Sequence, residues 1–495
     1  MGRRDALLAI DQGTTSSRAI VFALDGTILA LAREPLPQIY PAPGEVEHDP
    51  EAIWSGTLKV ARAALAEAEA KGARVAAIGI TNQRETALLW DRASGRPLGN
   101  AIVWQDRRTA QICARLKADG AEAMVAERTG LVLDPYFSAT KFAWLLDRTE
   151  GARARAEAGE LAAGTVDSFL VWRLTGGRRH VTDATNASRT SLYDIAANAW
   201  DSELARLFRV PAAVLPEVLD SAAFFGETQA EHFGRPLPIL GVAGDQQAAT
   251  IGEACIARGD VKATYGTGAF LVLNTGEEIV RSTRRLLSTI AWRLEGRTTY
   301  ALEGSIFVAG AAIQWLRDEL GALRDAAESE ALAAGLASNA GVYLVPAFAG
   351  LGAPHWDPHA RGTVVGLTRG SGRAALARAA LEAVAYQSAE LLAAMAADGV
   401  APRSLRVDGG MVVNGWLCQF LADILAMPVE RPAIVETTAF GAAALAGLEA
   451  GLFASLQDIA ARWRLERRFA PGLDAAERER LLAGWSDAVA RAKGR

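Results

Sequence analysis

Cysteine is scarce in this chain, with three residues, Cys113, Cys255 and Cys418, among 495. They lie far apart and form no CxxC pair, so no disulfide framework is available and a reducing, cytoplasmic setting is expected. Histidine is also sparse. The five residues His48, His180, His232, His355 and His359 show no HExxH or other zinc spacing. Long apolar runs are missing too. The most apolar stretch, residues 439–448, is too short to span a bilayer and reads as a buried helix, in which Gly441 and Gly447 permit close backbone packing. The short apolar run near the start is broken by Asp11, well short of a signal-peptide core, and reads as a first strand. Positive charge is not in excess. Fifty-two Lys and Arg against 57 Asp and Glu leave a net charge of −5, with no basic footprint for a nucleic-acid partner. The 47 glycines follow no collagen-like period, and prolines number only 18.

What is present is the balance of a folded protein, half hydrophobic and 22% charged. At roughly 150 residues per domain, the length suggests two to four domains. A strand over residues 7–10 leads into a glycine turn, a returning strand over 19–22 and another over 28–33. Residues 35–50 hold several prolines and read as a surface loop. A helix is predicted over 51–70 and a strand over 75–80, with TNQRET (81–86) at its carboxyl end. The arrangement recurs later. Apolar stretches at 239–243, 261–264 and 405–407 each run into a polar glycine turn, and 269–274 returns as a strand. We read this as a weak internal duplication without fixed period. The boundary is expected near 244–258, where a buried helix over 248–257 would serve as hinge. This divides the chain into residues 1–250 and 251–495. Residues 477–492 form an amphipathic terminal helix that docks on the body.

Three turns carry candidate chemistry. In DQGTTSSR (11–18) an acid ends a strand, a glycine admits close backbone approach, and hydroxyls follow. Such a turn can cradle a phosphate, with Asp11 available to Mg²⁺ through water and Arg18 to an oxyanion. It is no Walker loop, because the lysine is missing, and an ordinary glycine hairpin is the competing reading. Asn82-Gln83-Arg84-Glu85 offers donors and acceptors at short range to a hydroxyl-rich ligand; the competing reading is a surface ion pair. In Gly244-Asp245-Gln246-Gln247 the carboxylate can take a proton from an attacking hydroxyl, or Asp245 can be a helix N-cap. Thr264–Gly268 and Asp408-Gly409-Gly410 add two more glycine turns. Turns of this kind converge where sheet ends face a cleft.

Together these stretches resemble the FGGY carbohydrate kinases. GITNQRET (79–86), AIVWQDRRT (101–109), DPYFSATK (134–141), GDQQAA (244–249), TYGTG (264–268), ALEGSIFVAGAAIQWLRD (301–318), PAFAGLGAPHWDP (346–358) and RVDGGMVVN (406–414) join DQGTTSSR in the likeness, and residues 362–387 fit the family's second signature. The resemblance implies an α/β fold of two actin/Hsp70/hexokinase-like (ribonuclease H-like) domains. Each would be built on a five-stranded sheet, with substrate and ATP meeting in the cleft between them. Within the family, the residues are most similar to members that move the γ-phosphate of ATP to the 3-hydroxyl of glycerol.

The same likeness implies site roles. Thr14, Thr15 and Ser16 would contact ATP phosphates, Thr14 also the transferred group, and Arg18 would neutralise charge. Arg84, Glu85, Tyr136, Asp245 and Gln246 would bind glycerol hydroxyls, with Trp104 and Phe270 along its carbon face. Asp245 would be the general base. Thr267 and Gly310 would border the phosphates. Gln314, Gly410, Met411, Asn414 and Gly415 would shape the purine and ribose pocket. Asp11 and Asp245 would approach Mg²⁺. Relatives often have Asn-Asn where this chain has Asn414-Gly415. The segment at 232–236 is shorter than the loop that binds fructose 1,6-bisphosphate in some members. It is similar to members phosphorylated on histidine by the phosphocarrier protein of the sugar phosphotransferase system, which marks His232 as a regulatory candidate beside the reading of an exposed loop histidine. A homodimer or homotetramer is implied as well. Two rival functions stand beside this one: a sibling kinase for a tetritol or pentose, and an actin- or Hsp70-type nucleotide switch without a polyol site.

Overall fold

The computed structural model describes residues 4–348, 350–357 and 359–493. Ala349 and Pro358, within the quoted stretch 346–358, and the chain ends at 1–3 and 494–495 lie outside the described residues. The fold starts from β1 (Arg4–Gln12), whose residues 6–10 are buried on both faces, as a central strand requires. It runs antiparallel to β2 (Ser16–Ala23), which in turn pairs antiparallel with β3 (Ile28–Pro35). The helix α1 (Pro50–Ala70) is capped by Asp49, which accepts from the Glu51 N–H, and carries proline at its first position. It covers one face of this sheet and returns the chain to β4 (Ala73–Asn82), parallel to β1. β5 (Ala222–Glu227) and β6 (Pro238–Gly244) complete the sheet, in the order β5-β6-β4-β1-β2-β3.

A second sheet is built the same way. β7 (Val261–Tyr265), β8 (Ala269–Gly276), β9 (Leu287–Leu294), β10 (Arg297–Ile306), β11 (Leu405–Asp408), β12 (Val429–Pro432) and β13 (Leu465–Phe469) stand in the order β9-β10-β8-β7-β11-β12-β13. The two sheets have six and seven strands, not the expected five. A five-strand unit is nonetheless repeated: β3-β2-β1-β4-β6 in one, β10-β8-β7-β11-β12 in the other. Each is an antiparallel meander followed by two parallel strands. The duplication sensed in the sequence is this unit. The extra strands are antiparallel additions at the edges.

Between the sheets lies a third core. α2 (Asp245–Gly252) packs there against a helix from late in the chain, Thr437–Glu449, whose alanines and glycines are almost wholly buried. The small residues are required by distance. A Cβ on Gly441 would stand 1.9 Å from the Ala248 carbonyl oxygen, and one on Gly79 of β4 would stand 2.1 Å from that of Ala442. The buried helix expected over 439–448 is therefore present and lies against the first sheet. The hinge helix expected over 248–257 is shorter. It ends at Gly252, jammed against Thr437, and Ala254 then takes a left-handed turn at φ 54°. The terminal helix Ala475–Ala492 buries Leu481, Trp485 and Val489 against the second lobe, as its amphipathic pattern predicted. Among the described residues, no helix is long and apolar enough to cross a membrane.

Candidate active site

The first candidate turn joins β1 to β2. The Gly13 N–H donates to the Ser16 carbonyl at 3.0 Å, closing a hairpin that leaves Thr15 exposed and Thr14 half-buried. Gln12 holds the turn from beneath, accepting from Ser17 Oγ at 2.7 Å and Thr57 Oγ1 at 2.8 Å. Ser17 is thus committed to the fold, and so are the Thr15 and Ser16 carbonyls, the former accepting from the Leu36 N–H at 2.9 Å. Arg18 is ion-paired with Asp11 and, at 2.7 Å, with Glu436 of the second half. Burial raises the Asp11 carboxyl's pKa, and the Arg18 cation opposes that rise.

The second turn follows β4. The reading of Arg84 and Glu85 as a surface ion pair is corrected here: both are at most 3% exposed. Arg84 is held by three carboxylates. Its Nη1 lies 2.5 Å from Glu303, its Nε 3.2 Å from Asp245 and 3.9 Å from Glu85. Glu85 itself has φ 60°, a left-handed conformation that is strained outside glycine. Buried Lys141 supports that backbone, donating to the Glu85 carbonyl at 3.4 Å and to that of Tyr136 at 2.6 Å. Burial brings its ammonium down to about 8. Beside these charges stand three aromatics. Trp104 meets Tyr136 and Phe270 edge to face, with centroids 5.6 and 6.0 Å away, and its Nε1 donates to Thr14 Oγ1 at 2.9 Å. The Arg84 guanidinium lies over Phe270. An apolar wall, a planar cation and the hydroxyl-bearing turn at 13–16 therefore share one place, and a cavity of about 880 Å³ opens against that wall.

Asp245 is the first residue of α2, with Gly244 at the N-cap, so the N-cap reading is corrected. Its side chain, 31% exposed, accepts from the Gln246 N–H at 2.7 Å. Burial raises the carboxyl's pKa, while Arg84 and Lys262 pull it down. Gln246 is turned toward the buried Lys262 ammonium, which also donates to Thr264 Oγ1 at 2.9 Å.

The remaining predicted residues gather on the second lobe. Thr267 and Gly266 receive the start of the helix Gly310–Asp318: the Gly310 N–H donates to Gly266 and that of Ala311 to Thr267, each at 3.0 Å. A Cβ on Gly310 would stand 2.6 Å from the Gly266 oxygen and 3.4 Å from Met411, so Thr267, Gly310 and Met411 form one surface. Gln314 is exposed one turn along the same helix, and Gly410 is exposed after β11. Asn414 caps the helix Gly415–Leu425, accepting from the Leu417 N–H at 2.9 Å, and the Gly415 N–H donates to Glu330 at 2.9 Å. Both groups are thereby engaged within the protein.

Sequence reasoning missed Arg189, Lys262 and Glu303, all buried: Arg189 and Glu303 are ion-paired within the Arg84–Glu85 cluster, and Lys262 holds the Gln246 side chain. Glu303 sat inside a quoted stretch, but nothing in an apolar strand marks one carboxylate as paired across 219 residues. His232 is likewise corrected. It is 7% exposed, not a surface loop residue, with its ring edge-on to Trp54 at 5.2 Å and its Nε2 3.3 Å from the Arg173 carbonyl. All three cysteines are free and buried. Among the described residues, no group of three or more His, Cys, Asp or Glu is gathered to hold a metal by itself. Asp408, the last residue of β11, keeps one buried carboxylate oxygen without a hydrogen bond among the described residues, while the other accepts from Thr437.

Comparison with known proteins gives matches along nearly the whole chain. The N-terminal domain model of the FGGY family of carbohydrate kinases matches residues 6–252, and the C-terminal domain model matches 261–450. A glycerol kinase of Rhodospirillum centenum is 66% identical over 493 residues, covering 100% of this chain and 99% of that protein. Glycerol kinase 1 of Pseudomonas aeruginosa is 58% identical, covering 98% and 99%. Among solved structures, glycerol kinase of Plasmodium falciparum with ADP superposes with a TM-score of 0.93 at 35% identity, covering 99% of each chain. The xylulose kinase of Rhodospirillum rubrum gives 0.85 at 26% identity, covering 98% of each.

Proposed function

The chain belongs to the FGGY family of carbohydrate kinases, and from that membership we propose that it transfers the γ-phosphate of ATP to the 3-hydroxyl of glycerol, giving sn-glycerol 3-phosphate and ADP. The observation that carries this reading is the meeting of Arg84, Glu85 and Asp245 with the Trp104–Tyr136–Phe270 wall, one hydrogen bond away from Thr14. A small triol needs paired donors and acceptors on one side and an apolar surface on the other. Arg84, Glu85, Tyr136 and Gln246 serve its hydroxyls; Trp104 and Phe270 face its carbons. Asp245 receives the proton of the attacking hydroxyl. The turn at Thr14, Thr15 and Ser16 holds the phosphates from the first lobe, with Arg18 balancing charge. Thr267, Gly310, Gln314, Gly410 and Met411 hold the nucleotide from the second, with the Asn414-Gly415 turn bordering Met411 through its backbone. The lobes in this reading are residues 1–250 and 251–495.

Magnesium suits the oxygen-only donor set of Asp11 and Asp245, which would hold it on the nucleotide; it supplies charge neutralisation for the transferred group. Because the reaction asks for positioning and electrostatics more than covalent chemistry, excluding water between the lobes limits wasteful hydrolysis. Regulation through His232 would first require the ring to turn out from beneath Trp54. A coupled assay with ATP, Mg²⁺ and glycerol tests the main reading. ADP release that is independent of glycerol, or that is faster with xylulose or a tetritol, overturns it.

A further inference from the structure

We infer that Glu303 and Arg189 are positioning residues of the polyol site: Glu303 reaches from the second lobe to fix the plane of the Arg84 guanidinium, and Arg189 ties Glu85 to the same carboxylate. The inference rests on the reading of Arg84 and Glu85 as groups that bind substrate hydroxyls.

The geometry is that of a four-membered charge network. Arg84 Nη1 and Nη2 donate to the two oxygens of Glu303 at 2.5 and 3.1 Å, a fork-on-carboxylate pairing that permits little rotation. Arg189 Nη2 donates to Glu303 Oε1 at 2.8 Å, and Arg189 Nε to Glu85 Oε1 at 2.6 Å. Two cations and two carboxylates therefore balance in a region closed to solvent. With both terminal nitrogens of Arg84 committed to Glu303, its Nε is left facing Asp245. Arg84, Glu85 and Arg189 come from the first half of the chain. Glu303 comes from β10, an interior strand flanked by Val272 of β8 and Leu287 of β9, so its backbone is anchored by the sheet on both sides. The orientation of the substrate-facing arginine is thus set by the lobe that does not carry it. Among the described residues Arg189 Nη1 is buried without a hydrogen-bond partner, while the guanidinium lies over the Tyr136 and Phe137 rings.

The test is Glu303→Gln, which preserves volume and removes the charge, with Arg189→Lys as a milder second variant that keeps the charge and loses the fork. Each is assayed on glycerol, propane-1,2-diol and propane-1,3-diol, with ADP affinity measured in parallel. For Glu303→Gln, kcat/KM on glycerol should fall about 10–100-fold, mainly through KM, while the diol that lacks the hydroxyl held by Arg84 loses far less and ADP affinity stays within about twofold. Arg189→Lys should narrow the triol-over-diol preference in the same direction. A merely structural role lowers all three substrates together. Equal losses, or an unchanged preference in a variant that melts cooperatively, overturn the proposal, and Arg189→Lys decides alone if Glu303→Gln does not fold. If the wild type does not phosphorylate glycerol, the substrate reading fails separately. The brace is then judged by the same ratio on the polyol or ketose it does use, against the deoxy analogue.

Discussion

Replacing Asp245 with asparagine separates chemistry from architecture. Both short contacts of this carboxylate, from the Gln246 N–H at 2.7 Å and from Arg84 Nε at 3.2 Å, fall on Oδ1. Among the described residues Oδ2 takes no hydrogen bond, so it is the oxygen available to a substrate hydroxyl. In Asp245→Asn the amide oxygen keeps both Oδ1 contacts, and the NH₂ group now occupies the Oδ2 position, donating where a proton must be accepted. Arg84 keeps its two bonds to Glu303, so no buried cation is abandoned. The fold should therefore stand while turnover falls. Loss of a positioned general base is worth about 10²–10⁴-fold in kcat, or ~3–5 kcal/mol of barrier. The assay is glycerol-dependent ADP formation under saturating substrates, with ADP affinity by calorimetry and melting temperature as controls. Burial also raises the Asp245 pKa, so the acid limb of wild-type kcat should lie above the range of an unburied aspartate and vanish in the variant. Turnover in Asp245→Asn within about fivefold of wild type, with the acid limb intact, refutes the assignment of the base.

Arg84→Ala removes the group that links Asp245, Glu85 and Glu303, and should raise the KM for glycerol about tenfold or more; an unchanged KM rules out its hydroxyl-binding role. Gly310→Ala would place a Cβ 2.6 Å from the Gly266 oxygen, so ADP affinity should drop about tenfold with the glycerol KM little changed. Equal affinity by calorimetry would detach this contact from the nucleotide site. Burial holds the His48 and His180 imidazoles down to about 4 from an ordinary 6.5. The unfolded chain then takes up protons first, so stability is lost as pH falls through that window. The double variant His48→Gln, His180→Gln should show a smaller drop in Tm between about pH 7 and pH 5, and an undiminished drop contradicts the linkage.

The alternation of apolar stretches with glycine turns was legible because it is local. Strands with both faces buried need continuous apolar residues, and turns that let backbone approach a ligand need glycine. Hence the positions of β1, β4, β6, β7 and β11 followed from the chain alone, each within a few residues. The long alanine-rich stretch before residue 450 was also readable as a closely packed helix. Its partner was not: the contact of Gly441 with Ala248 joins positions nearly two hundred residues apart.

Residue types and local spacing, by themselves, determined where the turns fall and which chemistry they can offer, since propensity and short-range pattern act within a few residues. Only the tertiary structure decided that Arg84 is buried instead of solvated, that Glu303 and Arg189 complete its surroundings, and that the Trp54 ring covers His232. Burial and long-range pairing depend on how two sheets meet across a shared helix, and no stretch of sequence contains that relation.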